Sequence, residues 1–284
     1  MALFDAFTFF NELDLLEIRL NEHSGFVDWF VLVEGRQTFT GREKQLWFED
    51  NKARYANFLD RIIHIVVDDF PTAKSAWDRE YFQRRAIGRG LLTAEPTDFV
   101  IISDVDEILR AEVVNGIKTA ESSRNALTIF GLREYHHRLN LQRDGFTWWA
   151  GPRMLERRLM RDAQRVRSLK AFPSKTPIVQ PILPLMRAAQ SFSVTGRLLT
   201  YNLVSDAGWH FSSMGGAAQV AEKIRSYSHQ EYNTAALVSE THIETTIKQG
   251  RALLMPDEPT RIADLSELPL HVGSRREHYA QLLL

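Results

Sequence analysis

Apolar runs and helical patterns alternate along the first 110 residues of the chain. The apolar runs predict four strands, at residues 6–10, 27–34, 61–69 and 98–104. Asn11 can cap a helix in which Leu13, Leu16 and Leu20 share one face, and residues 75–94 predict a second helix. Strands that alternate with helices are typical of an α/β sheet with crossovers, and nearly continuous apolar runs suit parallel strands covered on both faces.

The pattern weakens after residue 110. It predicts strands at 127–133 and 198–204, a proline-rich loop at 171–184, helices at 217–230 and 239–254, and a closing helix in the last dozen residues. We therefore expect an α/β fold with a Rossmann-like, mostly parallel sheet flanked by helices. The whole chain is expected to form one continuous domain, with residues 1–110 as one half and residues 111–284 as the other.

The composition narrows the classes of protein to consider. With 284 residues, of which 44% are hydrophobic and 25% charged, the chain can form a sizeable core. The net charge of −1 disfavours a broad nucleic-acid or membrane-surface binder, and the absence of cysteine excludes disulfides and thiolate metal sites. The N-terminal MALFDAFTFFNELD lacks the pattern of a signal peptide, and no apolar run approaches the ~20 residues that cross a bilayer. We expect a soluble, cytoplasmic protein.

Polar side chains follow each of the four predicted strands. Asn11 and Glu12 follow the first, Glu34 ends the second, Asp68 and Asp69 end the third, and Asp104 and Asp106 end the fourth. In an open parallel sheet, ligands bind outside the carboxyl ends of the strands. These side chains therefore indicate one shared site, although acids also occur at strand ends simply because they are soluble there.

The stretch DFVIISDVDEI places Asp104, Asp106 and Glu107 directly after a buried strand. Carboxylates this close together in partly desolvated surroundings require a cation or protons. Carboxylate oxygens suit Mg²⁺ or Mn²⁺, whose coordination is commonly completed by phosphate oxygens and water. The stretch predicts a site for a metal–diphosphate complex. An aspartyl phosphatase or phosphotransferase also carries Asp-x-Asp after a strand, but normally after its first strand.

Six blocks occur in order between residues 5 and 255 and together carry a family resemblance. They are FFNELDLLEIRLNE, VDWFVLVEGRQTFTGREKQL, WDREYFQRRAI, IISDVDEI, GWHFS and KIRSYSHQE. The chain resembles glycosyltransferase family 17. The resemblance implies a GT-A fold, a nucleotide-sugar donor with UDP-GlcNAc as the expected one, and inversion at the anomeric carbon. Residues 1–110 would then bind the donor, and residues 111–284 would bind the acceptor and supply the catalytic groups.

The resemblance also implies a metal centre. Asp106 would bind the ion directly, Asp104 would contact the ion, its water or the donor ribose, and His210 would add a nitrogen ligand. A histidine in GWHFS is also consistent with a packed core residue. Trp209 would stack on the sugar or fill the core, and Glu107 would support the ligands or begin a helix.

Further residues are candidates for binding the donor. Asn11, Glu12 and Glu34 lie where the fold receives the nucleoside, Arg36, Thr38 and Lys44 would line the same pocket, and Arg79 and Arg84 would contact the diphosphate. Arg84 also lies one helical turn from Glu80, where a solvated ion pair is the simpler interpretation.

An inverting transfer needs a general base that takes a proton from the acceptor hydroxyl. The candidates are Glu231, Asp206 and Glu134, and Glu231 is preferred because SHQE belongs to the resemblance. The basic stretch 157–170 is a solvated face or an arm that closes over the diphosphate or attracts an anionic acceptor. Nucleic acid is disfavoured, because no stacking aromatics are interleaved with the cations.

The sequence thus predicts a metal-dependent, inverting glycosyltransferase using Mn²⁺ or Mg²⁺. Its acceptor would be a glycan, a polysaccharide or a lipid-linked sugar, with peripheral contact to a membrane as one option. A sugar-nucleotide-binding protein without transferase activity is the first alternative, and an Asp-x-Asp phosphotransferase is the second.

Overall fold

The computed structural model describes residues 1–171 and 182–284. Its strands are β1 Leu3–Phe9, β2 Trp29–Gly35, β3 Ile62–Val67, β4 Phe99–Asp104, β5 Glu107–Leu109, β6 Ala126–Phe130, β7 Leu132–His136, β8 Leu141–Trp148, β9 Arg153–Glu156, β10 Thr200–Val204, β11 Gly208–Ser212 and β12 Thr260–Ile262. Its α-helices are α1 Leu13–His23, α2 Trp47–Asp50, α3 Ala76–Arg85, α4 Ala111–Thr119, α5 Ala163–Arg167, α6 Leu183–Thr195, α7 Ala217–Ser226, α8 Glu240–Lys248 and α9 Leu270–Ser274. Short 3₁₀ segments lie between several of them.

The larger sheet has the strand order β10-β6-β9-β4-β1-β2-β3. Strands β3, β2, β1 and β4 are mutually parallel, β9 is antiparallel to β4 and β6, and β10 is parallel to β6. The register pairs Thr8 with Asp104 and Phe9 with Glu34, so the carboxyl ends of β1, β2 and β4 lie at one edge. The predicted mostly parallel α/β sheet is confirmed.

The sequence did not predict the smaller sheet, whose order is β12-β8-β7-β11-β5. Most of its pairings are antiparallel, and only β7 and β11 run parallel. The single strand predicted at 127–133 is in fact β6 and β7, which belong to different sheets. The chain crosses between the sheets at Gly131, where a Cβ atom would lie 2.8 Å from Thr147 and 3.0 Å from Trp149. Only glycine fits there without a shift of these side chains.

Alternating side chains of the central strands fill the two faces of the larger sheet. On β1, Phe7 packs into one apolar cluster and Ala6 into the other. The neighbouring strands repeat this alternation, with Leu32 on the face of Phe7 and Val31 on the face of Ala6. Because both faces are buried, the strands appear in the sequence as continuous apolar runs.

The predicted helices differ from the structure mainly at their ends. Helix α3 starts after Ser75, whose hydroxyl accepts a hydrogen bond from the Asp78 N–H in a capping box. The predicted closing helix is wrong, because α9 ends at Ser274 and the residues after it form turns and a 3₁₀ segment at Ala280–Leu282. The predicted loop at 171–184 falls mostly on residues 172–181, which lie outside the described residues.

Residue 110 does not separate two structural units. Strands β6, β9 and β10 come from the second half of the chain and join the sheet that the first half begins. The assignment of donor binding to residues 1–110 and catalysis to residues 111–284 stays a prediction. None of the helices in the described part of the chain combines the length and the apolar character needed to cross a bilayer.

Candidate active site

A cavity of about 270 Å³ opens at the edge where β1 and β4 end. The walls come from the β1 end, the loop after β2, α3, the β4–β5 turn, β8, β11 and α7 with its following loop. Residues of both signs of charge line it, namely Glu12, Lys44, Glu80, Arg84, Asp104, Asp106, Glu107 and Lys223. The site lies where parallel sheets bind ligands.

The β4–β5 turn is held from beneath by Arg19 of α1, which is fully buried. The Arg19 guanidinium donates to the backbone carbonyls of Asp104 (3.0 Å), Val105 (3.4 Å) and Glu107 (2.7 Å). It also donates to Ser103 Oγ (2.6 Å) at the end of β4. Arg19 therefore fixes the backbone from which the acidic side chains project.

A buried carboxylate, Asp5 of β1, balances the charge of Arg19. Its Oδ1 lies 2.5 Å from Arg19 Nη2, and its Oδ2 lies 2.8 Å from His23 Nδ1. His23 Nε2 accepts from the Leu109 N–H (2.9 Å), so the ring is neutral and carries its proton on Nδ1. Burial alone would raise the pKa of Asp5, but Arg19 and His23 outweigh it and lower the pKa to about 2.

Asp104 is surrounded by donors. It accepts from Thr8 Oγ1 (2.9 Å), Arg84 Nη2 (2.9 Å) and Arg167 Nη2 (3.0 Å). Burial opposes ionisation, but the two guanidinium groups outweigh it and hold the pKa of Asp104 well below its usual range. Arg84 also pairs with Glu80 at 2.9 Å, and both side chains are largely buried. The solvated Arg84–Glu80 pair considered from the sequence is therefore wrong, because the pair forms part of the cavity wall.

Asp106 has a different partner, Lys223 of α7. Lys223 Nζ lies 3.0 Å from Asp106 Oδ2 and 3.2 Å from Glu12 Oε1. Burial alone would lower the pKa of Lys223, but the charges of Asp106 and Glu12 outweigh it and raise the pKa. Two carboxylates from the ends of β1 and β4 thus share one positive charge.

Glu107 stabilises the turn from its other side. Its Oε2 accepts from the Asp104 N–H (3.0 Å), and its Oε1 accepts from Trp148 Nε1 (3.1 Å) and Arg167 Nη2 (2.6 Å). Trp148 lines the cavity and stacks on the ring of His210, with the centroids 4.5 Å apart. Glu107 therefore positions both the acidic turn and this aromatic pair.

Successive residues of β11 point in opposite directions, as they do in any strand. His210 lines the cavity with its Nδ1 3.5 Å from Glu134 Oε1. Burial lowers the pKa of His210, but the contact with Glu134 and the nearby charges of Asp106 and Glu107 outweigh it and raise the pKa. Trp209 instead packs in the core and donates to the Glu267 carbonyl at 2.7 Å. The predicted sugar-stacking role of Trp209 is wrong, because its ring faces away from the cavity.

The residues predicted to bind the nucleoside divide into two groups. Glu12, Thr38 and Lys44 line the cavity, whereas Asn11, Glu34 and Arg36 do not. Of the two arginines predicted to contact the diphosphate, Arg84 lines the cavity and Arg79 does not. Glu34 is fully buried and accepts from the Trp47 N–H (2.5 Å) and the Phe48 N–H (3.2 Å) at the start of α2. Its place at the end of β2 was predicted, but its carboxylate anchors α2 and pairs with Lys44 (3.2 Å).

Residues 1–167 match the sequence model of glycosyltransferase family 17. The match covers more than half of the chain. The chain belongs to glycosyltransferase family 17. The predicted family is confirmed, and the mostly parallel α/β sheet of this family 17 chain agrees with the GT-A fold that the resemblance implied.

Two relatives share part of this sequence. They are the beta-1,4-mannosyl-glycoprotein 4-beta-N-acetylglucosaminyltransferases of Homo sapiens and Rattus norvegicus, each 27% identical over 106 residues. The aligned region covers 34% of the family 17 chain and 20% of each relative. The match therefore spans about a fifth of the length of these relatives.

Solved structures with a related arrangement are distant in sequence. A nucleotide-diphospho-sugar transferase from Desulfovibrio desulfuricans G20 is 9% identical, with 88% of the family 17 chain and 96% of that chain covered and a TM-score of 0.38. A galactosyltransferase in complex with donor and acceptor sugar analogues is 16% identical, with coverages of 71% and 73% and a TM-score of 0.32. Similarity at this level carries no information about the reaction of the family 17 chain.

The predicted metal ligands of the family 17 chain are not already gathered around one point. Among the described residues, the ligand atoms of Asp104, Asp106 and His210 do not lie within 4.8 Å of one another. Both oxygens of Asp104 bond to protein donors, whereas Asp106 and Glu12 converge on the ammonium of Lys223. Asp106 therefore shares its cation with Glu12, which was expected to bind the nucleoside, and its role as a metal ligand stays a prediction.

The predicted general bases lie outside the cavity wall. Asp206 is exposed, is paired with Arg133 (2.6 Å) and does not line the cavity. Glu231 is exposed and lies 2.6 Å from Nδ1 of His229, which does line the cavity. Glu134 reaches the cavity only through His210. The structure thus brings Glu231 to the site through a histidine that the sequence analysis did not name.

Three cavity residues that contact the acidic turn, Thr8, Trp148 and Lys223, were not singled out from the sequence, and neither was Arg167, which bonds to Asp104 and Glu107. Arg167 belongs to the basic stretch 157–170, which is therefore not a uniformly solvated face. Lys223 begins the quoted block KIRSYSHQE, so the resemblance could have identified it. Thr8 and Trp148 lie in ordinary strand sequence, which gives no local signal of their position.

Proposed function

We propose that this family 17 glycosyltransferase is a metal-dependent, inverting enzyme that uses a nucleotide-sugar donor. The observation that carries the proposal is the acidic turn Asp104–Glu107, which faces a cavity that also contains Lys44, Arg84 and Lys223. Carboxylates alone would repel a diphosphate, and cations alone would not hold a divalent ion. A cavity with both fits a donor diphosphate that is bound together with a cation.

The transfer would proceed by displacement at the anomeric carbon. The acceptor oxygen forms a bond to this carbon, the bond from the carbon to the diphosphate oxygen breaks, and the nucleoside diphosphate leaves with the electron pair. The acceptor hydroxyl loses its proton to a base. Lys44, Arg84 and Lys223 would stabilise the charge of the leaving diphosphate, and Trp148, which also lines the cavity, would present its ring to the sugar.

Asp106 and Glu12 are the residues proposed to hold Mn²⁺ or Mg²⁺, because they already converge on a single positive charge. Lys223 would have to leave this position, and the donor diphosphate offers it another anionic partner. The bound ion would supply charge neutralisation at the diphosphate. Asp104, which is held by Thr8 and two arginines, would orient the turn or contact the ribose.

Glu231 and His229 are proposed to accept the acceptor proton as a pair. The His229 ring lines the cavity and lies edge-on to Trp77 with centroids 4.6 Å apart, which limits its rotation. Glu231 at 2.6 Å from Nδ1 would hold the tautomer with its proton on Nδ1, so that Nε2 is the nitrogen that accepts the proton. This arrangement keeps the predicted Glu231 in the mechanism as a positioning residue.

UDP-GlcNAc is the proposed donor, supported by the family and by the activity named for the two relatives. The proposed acceptor is a glycan, a polysaccharide or a lipid-linked sugar. The decisive experiment measures thermal stabilisation by UDP and release of UDP from a panel of nucleotide sugars, with Mn²⁺, with Mg²⁺ and with a chelator. We expect stabilisation that requires metal and is lost in Asp106→Ala. Asp206→Ala removes an acid outside the cavity and should behave as the wild type.

Equal stabilisation by UDP in the chelator would refute the metal-dependent proposal. A sugar-nucleotide-binding protein is the second candidate, favoured by the position of Glu231 and Asp206 outside the cavity wall. It predicts donor binding without UDP release for any acceptor, and no effect of Glu231→Gln on UDP release.

A further inference from the structure

Helix α6 exposes its apolar side. Ile182 before the helix is 52% exposed, and on the helix Leu185 is 73% and Phe192 58% exposed. The buried residues of the helix are Leu183, Ser191 and Thr195. At 100° per residue Leu185 and Phe192 lie about 20° apart around the helix axis, and the buried residues lie about 60° or more away from both. A surface helix usually turns its apolar residues towards the core, so exposed side chains as large as Leu185 and Phe192 on one side of α6 are unusual.

The apolar face continues beyond these residues. Met186 adds to it on α6, and Leu198, 69% exposed, follows the helix after Gly196. Other exposed large apolar side chains, such as Leu92 and Leu270, are far apart in the chain from this group. Single exposed apolar residues are ordinary, but a contiguous group of this kind indicates a binding surface. We call Ile182, Leu185, Met186, Phe192 and Leu198 the α6 apolar face.

Exposed cations flank the α6 apolar face, and Asp162, the acid next to Arg161, is paired with Arg85. The sequence has 36 acidic residues, yet none occurs from Ala163 to Ser205, a stretch that contains six Arg or Lys. The flanking cations that are exposed are Arg161, Arg165, Lys170 and Arg197. Within residues 1–171 and 182–284, none of these four has an ion pair with a carboxylate.

Contacts between α5 and α6 place these cations beside the face. The Arg161 guanidinium lies against Gly196 at the end of α6. The backbone N–H of Lys170 donates to Gln190 Oε1 at 3.0 Å, halfway along α6. Arg187 of α6 in turn donates to the Ala171 carbonyl at 3.0 Å. The exposed cations and the apolar side chains therefore occupy one region of the surface.

We propose that the α6 apolar face and its flanking cations dock on an anionic membrane surface. Apolar side chains on one side of a helix, bordered by arginine and lysine, match the acyl and headgroup layers of an anionic lipid interface. A protein partner for this face would have to combine an apolar surface with negative charge. The segment around α6 contains no acid that would repel an anionic surface, and this favours a partner that is negatively charged throughout, such as an anionic membrane. The net charge of −1 makes such binding local to this face and not a property of the whole protein.

The docking face adjoins the proposed active site through α5. Arg167 on the inner side of α5 bonds to Asp104, and Arg165 on the outer side is exposed beside α6. A membrane bound at α6 would therefore lie next to the cavity wall. The proposal does not rest on the transfer reaction, because vesicle binding is measured without nucleotide sugar.

The test is co-sedimentation of the full chain with vesicles of equal parts phosphatidylglycerol and phosphatidylcholine, compared with pure phosphatidylcholine. We expect binding to the anionic vesicles that weakens as salt rises from 0.1 M, where the Debye length is about 10 Å, to 1 M, where it is about 3 Å. Leu185→Glu with Phe192→Glu should lower the partition coefficient at least about tenfold, since it removes apolar area and adds negative charge. Arg165→Glu with Lys170→Glu should do the same.

Matched controls separate the face from general effects. Leu92→Glu with Leu270→Glu makes the same chemical change at side chains that are 85% and 84% exposed elsewhere. Arg251→Glu with Arg276→Glu makes the same charge change at exposed cations away from α6. Both controls should bind vesicles as the wild type does, and thermal denaturation should confirm that all variants fold.

Two results would overturn the proposal. The first is absence of binding to anionic vesicles, or equal loss of binding in the control variants. The second is a concentration-dependent dimer in sedimentation velocity that Leu185→Glu with Phe192→Glu dissociates, with no vesicle binding by the wild type. That result would assign the α6 apolar face to a second copy of this chain.

Discussion

Replacement of Arg19 by methionine tests how the acidic turn is held. Arg19→Met removes the donors to three carbonyls of the turn and leaves the Asp5 carboxylate fully buried without its main counter-charge. Loss of one partner of a buried ion pair typically costs about 3–5 kcal/mol. We expect a loss of about 4 kcal/mol in the free energy of unfolding. We also expect weaker UDP binding, because the backbone of Asp104 to Glu107 is no longer fixed.

The assay is urea denaturation at pH 7, followed by circular dichroism, with UDP binding measured by calorimetry. Arg54→Met is the matched control, since Arg54 also pairs with two carboxylates, Asp14 and Glu17, but is 29% exposed. Its loss should cost no more than about 1 kcal/mol. Asp5→Asn combined with Arg19→Met removes the uncompensated charge and should recover most of the stability.

The pKa of Asp5 predicts how the stability of the fold depends on pH. Burial would raise the pKa of Asp5, but Arg19 and His23 lower it from 3.8 to about 2. A lowered pKa stabilises the folded state above the unfolded value, so this stability is present above about pH 4 and is lost as the pH falls towards 2. The difference corresponds to about 2 kcal/mol.

If Arg19→Met costs no more than Arg54→Met, or if Asp5→Asn restores nothing, the buried pair does not hold the turn.

Three further predictions concern the site and its surroundings. Lys223→Met should raise the affinity for Mn²⁺ at least about tenfold, measured by calorimetry in the absence of nucleotide, because Asp106 and Glu12 no longer share an ammonium group. An unchanged or lower affinity would contradict the assignment of Asp106 and Glu12 as metal ligands. Burial lowers the pKa of His137 from 6.5 to about 4, because the folded protein favours the neutral ring. The wild type should therefore lose about 3 kcal/mol of folding free energy as the pH falls from 6.5 to 4, and His137→Gln should remove this dependence. Glu231→Gln should lower the rate of transfer about 10²-fold or more and alter the pH profile of that rate, while the thermal stability stays unchanged. An unchanged rate would exclude Glu231 from the reaction.

The first half of the fold could be predicted because its strands are buried on both faces. Such strands are continuous apolar runs, and each of the four predicted between residues 6 and 104 is present. The second sheet could not be predicted in the same way. Its strands β5 and β12 have only three residues each, and β6 and β7 appear as one run although Gly131 divides them between sheets. Short strands depend on their neighbours more than on their own sequence.

The sequence by itself determined that Asp104 and Asp106 leave a buried strand at the ligand-binding edge, because a local apolar run followed by carboxylates carries that information. Only the tertiary structure decided which cations meet these acids. Arg167 reaches Asp104 across 63 residues and Lys223 reaches Asp106 across 117 residues. Equally, Glu34 ends its strand as predicted, but the packing of α2 directs its carboxylate away from the cavity. Contacts between distant segments are fixed by how the sheets and helices pack, and no local pattern of residues encodes them.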